Sequence, residues 1–407
     1  MVSEAAMNVL VTDGENRSAL AVTRSLGRKG CRVVVTGTKL RNLSSCSRFC
    51  SKGFAVPDPL RDGAAYLKAM GEIVRREGIH IIFPMTEQSI CLLNRYRDTM
   101  PEDSILACPV EEKMRAISDK SNLFRMAEMM DVPIPGTVHV SGPDDLPSRI
   151  DRIDRYPVVI KPARSRILQG DGFISGEVLY ASSRRELEHL YSVRPSLRFP
   201  SMIQEKIVGP GTGLFTLYNN NRHLALFSHR RLREKPPSGG VSVVSESVPL
   251  DEEMVEASGR LLSSVGWTGV AMVEFKRDRR DGIAKLMEIN GRFWGSLQLA
   301  IACGVDFPGL LFDFLRGEPL PPLMGGYRLG HKLKWFFGTL DHLVIRLKNR
   351  DEELNLPPGY PSRLRSIADF LKIEEDNTSF DVYEEGDSGP FLFEAKSYLR
   401  HAVGLRG

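Results

Sequence analysis

No apolar run in this 407-residue chain approaches the roughly 20 residues that a membrane span needs. A membrane-spanning protein is therefore not expected. Charge of one sign is also missing. The net charge is only +4, which calls for no nucleic-acid or polyanion partner. The stretch MVSEAAMNVLVTDGEN carries an acidic residue and no basic n-region, so it is not read as a signal peptide. Cysteine is scarce. The six residues Cys31, Cys46, Cys50, Cys91, Cys108 and Cys303 show neither Cys-x-x-Cys spacing nor disulfide-rich density. Cys46 and Cys50 lack a neighbouring His or Cys to complete a metal site. All six are read as reduced thiols of a cytoplasmic protein.

The length implies two or three domains rather than one core. A hydrophobic content of 42% and a charged content of 26% mark a globular chain. The first part alternates short apolar runs (8–14, 31–37, 80–86) with helical patterns (16–29, about 62–77, 87–97). In 16–29 the stripe is Ala19, Leu20, Val22, Thr23 and Leu26, with Gly30 as the stop. This rhythm predicts a parallel sheet covered on both faces, a Rossmann-like half. The first turn, Thr12 to Asn16, lacks Gly-x-Gly-x-x-Gly and places an acid where a pyrophosphate needs open amides, so no dinucleotide site is read there. Thr86-Glu87 reads as a helix start, or as a contact to an acceptor substrate.

A second unit begins near Glu111. It combines a helix ending before Pro133, strands at 156–162, 173–181 and 201–209, and a hairpin turning at Asn219–Asn221. A helix follows at 251–264. Strands broken by single helices fit an α+β unit with antiparallel sheets. The tail beyond about 326 reads as a smaller module, with the amphipathic segment KLKWFFGTLDHLVIRLKNR and a Pro-rich break at 356–359. Trp335, Phe336 and Phe337 fit a core-packing helix; a membrane-surface contact is the alternative.

The most telling stretch is WTGVAMVEFKRDRRDGIAKLMEINGR, residues 267–292. Asp281-Gly282 between two alternating runs predicts a hairpin. A turn symmetric about Asp281 places Glu274 opposite Glu288, with Asn290 on the same face. Val273, Phe275, Met287 and Ile289 then fall on the buried face. Two facing carboxylates repel unless a cation lies between them. An all-oxygen set of two carboxylates and an amide suits Mg²⁺, with Mn²⁺ as an alternative. Arg292 has the same parity and would meet an anion beside the metal. The competing reading is a plain hairpin with a solvated polar side.

Other features need a common ligand. Lys161 ends an apolar strand and is a well-held point charge for a phosphate. The loop 164–176 after it carries Gly170, Gly172, Gly176, Arg164 and Arg166, which suits closure over a triphosphate. The backbone of Glu205, Lys206, Ile207 and Val208 sits where a strand edge would read an adenine. The basic run 229–240 brings Arg230, Arg231 and Arg233 next to Ser238, Gly239 and Gly240, either as a solvated loop or as an anion holder.

In this order, lysine, glycine loop, hinge, basic run and Glu…Glu-x-Asn-x-Arg, the chain resembles the ATP-grasp superfamily. The resemblance covers roughly 1–320 and is carried best by VEFKRDRRDGIAKLMEINGRFWGS, which is similar to the metal hairpin of biotin-carboxylase-like and carbamoyl-phosphate-synthase-like members. It implies a Rossmann-like leading domain (1–115), an ATP-grasp domain (116–325) and a C-terminal module (326–407). It further implies that Glu274 and Glu288 bridge two Mg²⁺ with Asn290 as a further ligand, and that Lys120 and Lys161 contact the phosphates of ATP. The hinge 205–208 would bind adenine, and Arg292 would hold an acyl phosphate. Asn290-Gly291-Arg292 replaces the usual Asn-Pro-Arg, a change expected to matter little. The implied activity is ATP-dependent carboxylate–amine ligation of small molecules, with Arg230, Arg231 and Arg233 on the carboxylate substrate. A bicarbonate-using carboxylase or carbamoyl-phosphate-synthase-like enzyme, and a non-catalytic ATP-binding regulator, are the alternatives. Oligomeric state stays open, a homodimer being the common outcome for such enzymes.

Overall fold

Four sheets organise the computed structural model, which describes residues 7–402 apart from 102, 165, 170–171, 238, 323–325, 352, 355, 357–358 and 373–376. The first sheet is parallel and five-stranded, ordered Cys50–Ala55, Arg32–Gly37, Asn8–Val11, Ile81–Phe83, Ile105–Leu106. The three central strands alternate cleanly. Val9, Val11, Val33, Val35, Ile81 and Phe83 face one core, and Leu10, Val34 and Ile82 face another. Helix Arg17–Arg28 covers the first face, with its stripe fully buried and Gly30 beyond it at φ 86°. Helix Gly63–Glu77 covers the second through Tyr66, Met70, Ile73 and Val74. Two edge strands escaped the sequence reading. Cys50–Ala55 is half exposed and carries no apolar alternation, and Ile105–Leu106 is only two residues long.

At the turn after the first strand, Asp13 is half-buried and accepts from the hydroxyls of Thr12 and Ser89, and burial pushes its carboxyl up. The amides of Gly14 and Asn16 already donate to the carbonyls of Thr36 and Asp13. Those two amides are therefore not open to a pyrophosphate.

The second sheet is antiparallel and four-stranded, ordered Leu179–Ala181, Val158–Pro162, Ser201–Glu205, Thr137–Val140. Val158, Ile160 and Ile203 pack on helix Arg184–Val193 through Leu187 and Tyr191. By alternation, Lys161 lies on the opposite face. The glycine segment expected as a loop is instead a small hairpin, Arg166–Gln169 with Gly172–Ser175.

The third and largest sheet has seven strands, ordered Ala284–Asn290, Gly269–Arg277, Gly211–Asn219, Arg222–Lys235, Val241–Ser247, Lys332–Lys334, Thr378–Phe380. All pairs are antiparallel except the last. Its residues Phe215, Leu217, Phe227, Val270 and Met272 join the core that also holds Val9, Val22 and Phe83. One apolar core therefore ties the leading sheet to the largest one. The basic run, read as either a solvated loop or an anion holder, is strand as far as Lys235, the end of Arg222–Lys235.

The tail does not stand apart. Two of its strands extend the largest sheet. The buried Arg24 guanidinium holds Asp387 at 2.8 Å, and Asp387 also accepts from Ser47 and from the Arg48 amide. The amphipathic segment divides into Lys332–Lys334 and helix Phe336–Lys348. Phe336 and Phe337 pack on Phe391, and the Trp335 ring lies 4.0 Å from the Arg17 guanidinium. These aromatics are internal packing, not a membrane contact. Among the described residues no helix is long and apolar enough to cross a membrane, and all six cysteines are unpaired.

Candidate nucleotide and metal site

The hairpin brings the two carboxylates face to face by a route that the sequence did not reveal. Near the turn, Lys276 pairs with Lys285. That register alone would leave Glu274 and Glu288 one residue out of step. A bulge between Glu274 and Phe275 restores it, so Glu274 stands opposite Glu288. The bulge also reverses parity. Leu286, not Met287, joins Val273, Phe275 and Ile289 in the core beneath. The turn closes with Gly282 at φ 74°, and the Gly282 amide donates to Asp278 at 2.8 Å.

Glu274 is 9% exposed, and burial pushes its carboxyl up. Arg231 donates to it, which opposes that push, and the charge of Glu288 reinforces it. Burial also works against ionising Glu288. Lys120, the Asn290 amide and Lys161 outweigh it and hold Glu288 below the usual carboxylate range. The Lys120 ammonium is 3.7 Å from Glu288, and Asn290 Nδ2 donates to Glu288 at 2.8 Å. Arg231 and Lys120 thus supply the positive charge that facing carboxylates require. Among the described residues no group of three or more His, Cys, Asp or Glu is placed to hold a metal ion by itself. Two carboxylates and an amide oxygen fit Mg²⁺, whose remaining ligands are usually waters and substrate phosphates.

Lys120 opens helix Lys120–Met129, where its amide donates to the Ala163 carbonyl at 2.8 Å, and Asp119 caps that helix. Lys161 stands on its strand with its ammonium 5.7 Å from the Phe124 ring centre. Burial pulls its pKa down to about 8, against the pull of Glu288. A lysine held at this cost, with no hydrogen bond to its ammonium among the described residues, suits an incoming anion.

Arg292, Glu87, Lys120, Glu288 and Asn290 line one small cavity. Thr86 caps helix Glu87–Arg95 as a plain helix start would, yet the carboxylate of the first helical residue lines this cavity. Gly291 is needed where it stands. A Cβ there would lie 2.3 Å from Trp267 and 3.0 Å from Ile117. The replacement of Pro, expected to matter little, follows from close packing.

Only Glu205 of the hinge is in a strand. Lys206 to Pro210 run as irregular chain, with the Val208 carbonyl accepting from the Arg279 amide at 3.0 Å. The Glu205 carboxylate accepts from the Gly136 amide, Arg280 and Lys285 at 3.0, 2.6 and 3.1 Å. Its side chain is occupied structurally, which leaves the backbone of 206–208 to meet a ligand. Ile207 is buried, Val208 is exposed, and the Lys206 ammonium is 5.7 Å from the Tyr180 ring. These hinge residues line a cavity of about 560 Å³, together with Arg231 and Lys276.

The three arginines do not act together. Arg230 pairs with Glu246 at 2.6 Å on the exposed side, and Arg233 reaches Asp369 of the tail at 2.8 Å. Arg231 alone turns into the cleft, between Glu274 and Glu234. Alternation along the strand and its bulges separate them. Gly240 accepts from Arg231 at 3.4 Å; Gly239 has φ 131°; Ser238 lies outside the described residues. Sequence reasoning missed Lys276 and the pairing of Arg231 with Glu274. The tail contribution to the hinge cavity, through Leu356, Gly359, Tyr360 and Pro361, had no local signal at all.

A parallel leading sheet, a four-stranded and a large antiparallel sheet, and a carboxylate hairpin facing two lysines across the cleft make up the fold of the ATP-grasp superfamily. Within it, residues 220–329 match the family described as "ATP-grasp in the biosynthetic pathway with Ter operon". Among solved structures, the chain is similar to the L-amino acid ligase from Bacillus licheniformis (TM-score 0.59, 15% identity, 81% of this chain and 79% of that one). It is similar to N5-carboxyaminoimidazole synthetase from Staphylococcus aureus complexed with ADP (TM-score 0.61, 14% identity, 80% of each chain). The biotin carboxylase complex from Campylobacter jejuni also aligns (TM-score 0.61, 15% identity, 80% of this chain and 74% of that one). No curated protein matches the chain.

Proposed function

We propose that this protein is an ATP-dependent carboxylate–amine ligase that forms an amide or peptide bond through an acyl phosphate. The observation that carries the reading is Glu274 opposite Glu288, with Lys120 beside Glu288 and the hinge cavity reaching Arg231. Glu274, Glu288 and Asn290 would hold Mg²⁺, with Mn²⁺ as a substitute. The metal supplies charge neutralisation at the phosphate oxygens. Lys120 and Lys161 draw the triphosphate to the cleft, and the backbone of 206–208 receives the adenine. A carboxylate oxygen of the acid forms a bond to the γ-phosphorus, the bridging bond to ADP breaks, and ADP leaves with that electron pair. The amine then attacks the acyl carbon, phosphate departs, and the amine releases a proton. Arg292 would hold the acyl phosphate, and Arg231, which pairs with Glu274, would meet the carboxylate substrate. Closure of strands Arg166–Gln169 and Gly172–Ser175 over the phosphates would keep water from the intermediate.

The test is Mg²⁺-dependent release of ADP and phosphate across pooled amino acids and small carboxylic acids. Stimulation by an acid–amine pair, with a product mass equal to their sum minus water, supports the ligase. The likeness to biotin carboxylase favours a second reading. ADP release with bicarbonate alone would select that reading and reject the ligase.

A further inference from the structure

The hinge cavity is not built by the two antiparallel sheets alone. Four described residues of the tail, Leu356, Gly359, Tyr360 and Pro361, line it together with the hinge. We propose that the tail segment around Tyr360 is a wall of the nucleotide site, and that the Tyr360 ring recognises the nucleoside end of the ligand. The proposal rests on the nucleotide reading of the cleft.

The segment is anchored from beneath. Arg346, 2% exposed on helix Phe336–Lys348, holds Asp351 at 2.6 and 3.1 Å and donates to the Pro361 carbonyl at 3.3 Å. Its guanidinium lies 5.7 Å from the Tyr360 ring centre. His342, one turn earlier, joins the segment to the cleft. Its Nδ1 lies 2.6 Å from the Glu234 carbonyl and must donate to it, so in the neutral ring Nε2 accepts from the Tyr360 hydroxyl at 3.4 Å. Burial lowers the His342 pKa, which keeps the ring neutral. Strand and tail are further fastened by Arg233–Asp369 and Lys235–Asp341.

The ring is therefore fixed before any ligand arrives. Tyr156 is the cavity's other aromatic, and Leu232 adds an apolar side chain that is 41% exposed. A half-buried aromatic ring on the wall of a nucleotide-sized cavity is what a base or ribose face needs, since ring stacking contributes affinity without depending on base identity. Arg231 also lines the cavity and pairs with Glu274, which assigns the phosphates to the Glu274 side.

The test compares Tyr360→Ala and Tyr360→Phe with the native protein by calorimetric titration of MgADP and of Mg-tripolyphosphate, which has no nucleoside. Tyr360→Ala is expected to weaken MgADP about ten-fold and tripolyphosphate less than two-fold. Tyr360→Phe should stay close to native for both. Equal MgADP affinity in Tyr360→Ala, or an equal loss for both ligands, overturns the proposal. If the alanine variant does not fold, hydrogen exchange on the native chain decides. MgADP must slow exchange in 353–364 while tripolyphosphate does not; no slowing overturns the proposal. Failure of the native protein to bind MgADP at all would instead reject the nucleotide reading itself.

Discussion

Arg231→Met removes the internal counter-ion of Glu274 while keeping an apolar stem of similar reach. In the native cleft the Arg231 and Glu274 side chains are 15% and 12% exposed, so little solvent screening intervenes. Breaking a buried pair by removing one partner costs about 3–5 kcal/mol when the survivor stays charged. Glu274 has an escape, because it can take a proton. For a carboxylate of ordinary pKa that costs about 3.5 kcal/mol at pH 7, and less here because burial already pushes Glu274 up. The expected loss at pH 7 is therefore about 2–3 kcal/mol. Its pH dependence follows. In the variant, folded Glu274 has a higher pKa than unfolded Glu274, so the folded state binds the extra proton. The deficit is small near pH 4.5 and grows as pH rises toward 7. Urea unfolding, followed by fluorescence of the buried Trp267 and Trp294, reads this directly. Adding Glu274→Gln should restore at least about 1 kcal/mol, because the carboxylate is no longer stranded. Native-like stability of Arg231→Met at pH 7, with no pH trend, would refute the reasoning.

Gly291→Ala should destabilise by about 1–3 kcal/mol, because its Cβ would press on a Trp267 that is 1% exposed. Adding Trp267→Leu should recover part of that loss in the same urea assay. Lys161→Met should raise stability by about 2–3 kcal/mol below pH 8 while abolishing nucleotide affinity. The sign follows from a folded pKa of about 8 beneath the unfolded value. The native chain carries the cost of the buried charge below pH 8, and that cost fades toward pH 10.4. Stability curves at pH 7 and pH 10 check it; a less stable variant at pH 7 would contradict it.

The fold was legible where burial is one-sided and periodic. The stripe of 16–29 and the alternation of 8–11, 32–37 and 81–83 follow from core contact, which sequence records directly. Edge strands such as 50–55 answer to backbone pairing with a neighbour, and their side chains leave no pattern. The pairing of Glu274 with Glu288 was readable, but the bulge that produces it was not, because one inserted residue looks like ordinary strand. The arginines show the same limit. Their charge was visible at 230, 231 and 233, whereas their separation depends on strand parity and bulges. Tyr360 is far from the hinge in sequence and comes near it only through the anchors of helix Phe336–Lys348.

The most direct test of the central claim, that the carboxylate hairpin is a metal–nucleotide site, is calorimetric titration of ADP with and without Mg²⁺ on the native chain and on Glu288→Gln. The account predicts that Mg²⁺ tightens ADP binding at least ten-fold in the native protein and that Glu288→Gln loses this dependence. ADP binding that ignores Mg²⁺ in the native protein, or an unchanged Mg²⁺ effect in Glu288→Gln, would contradict it.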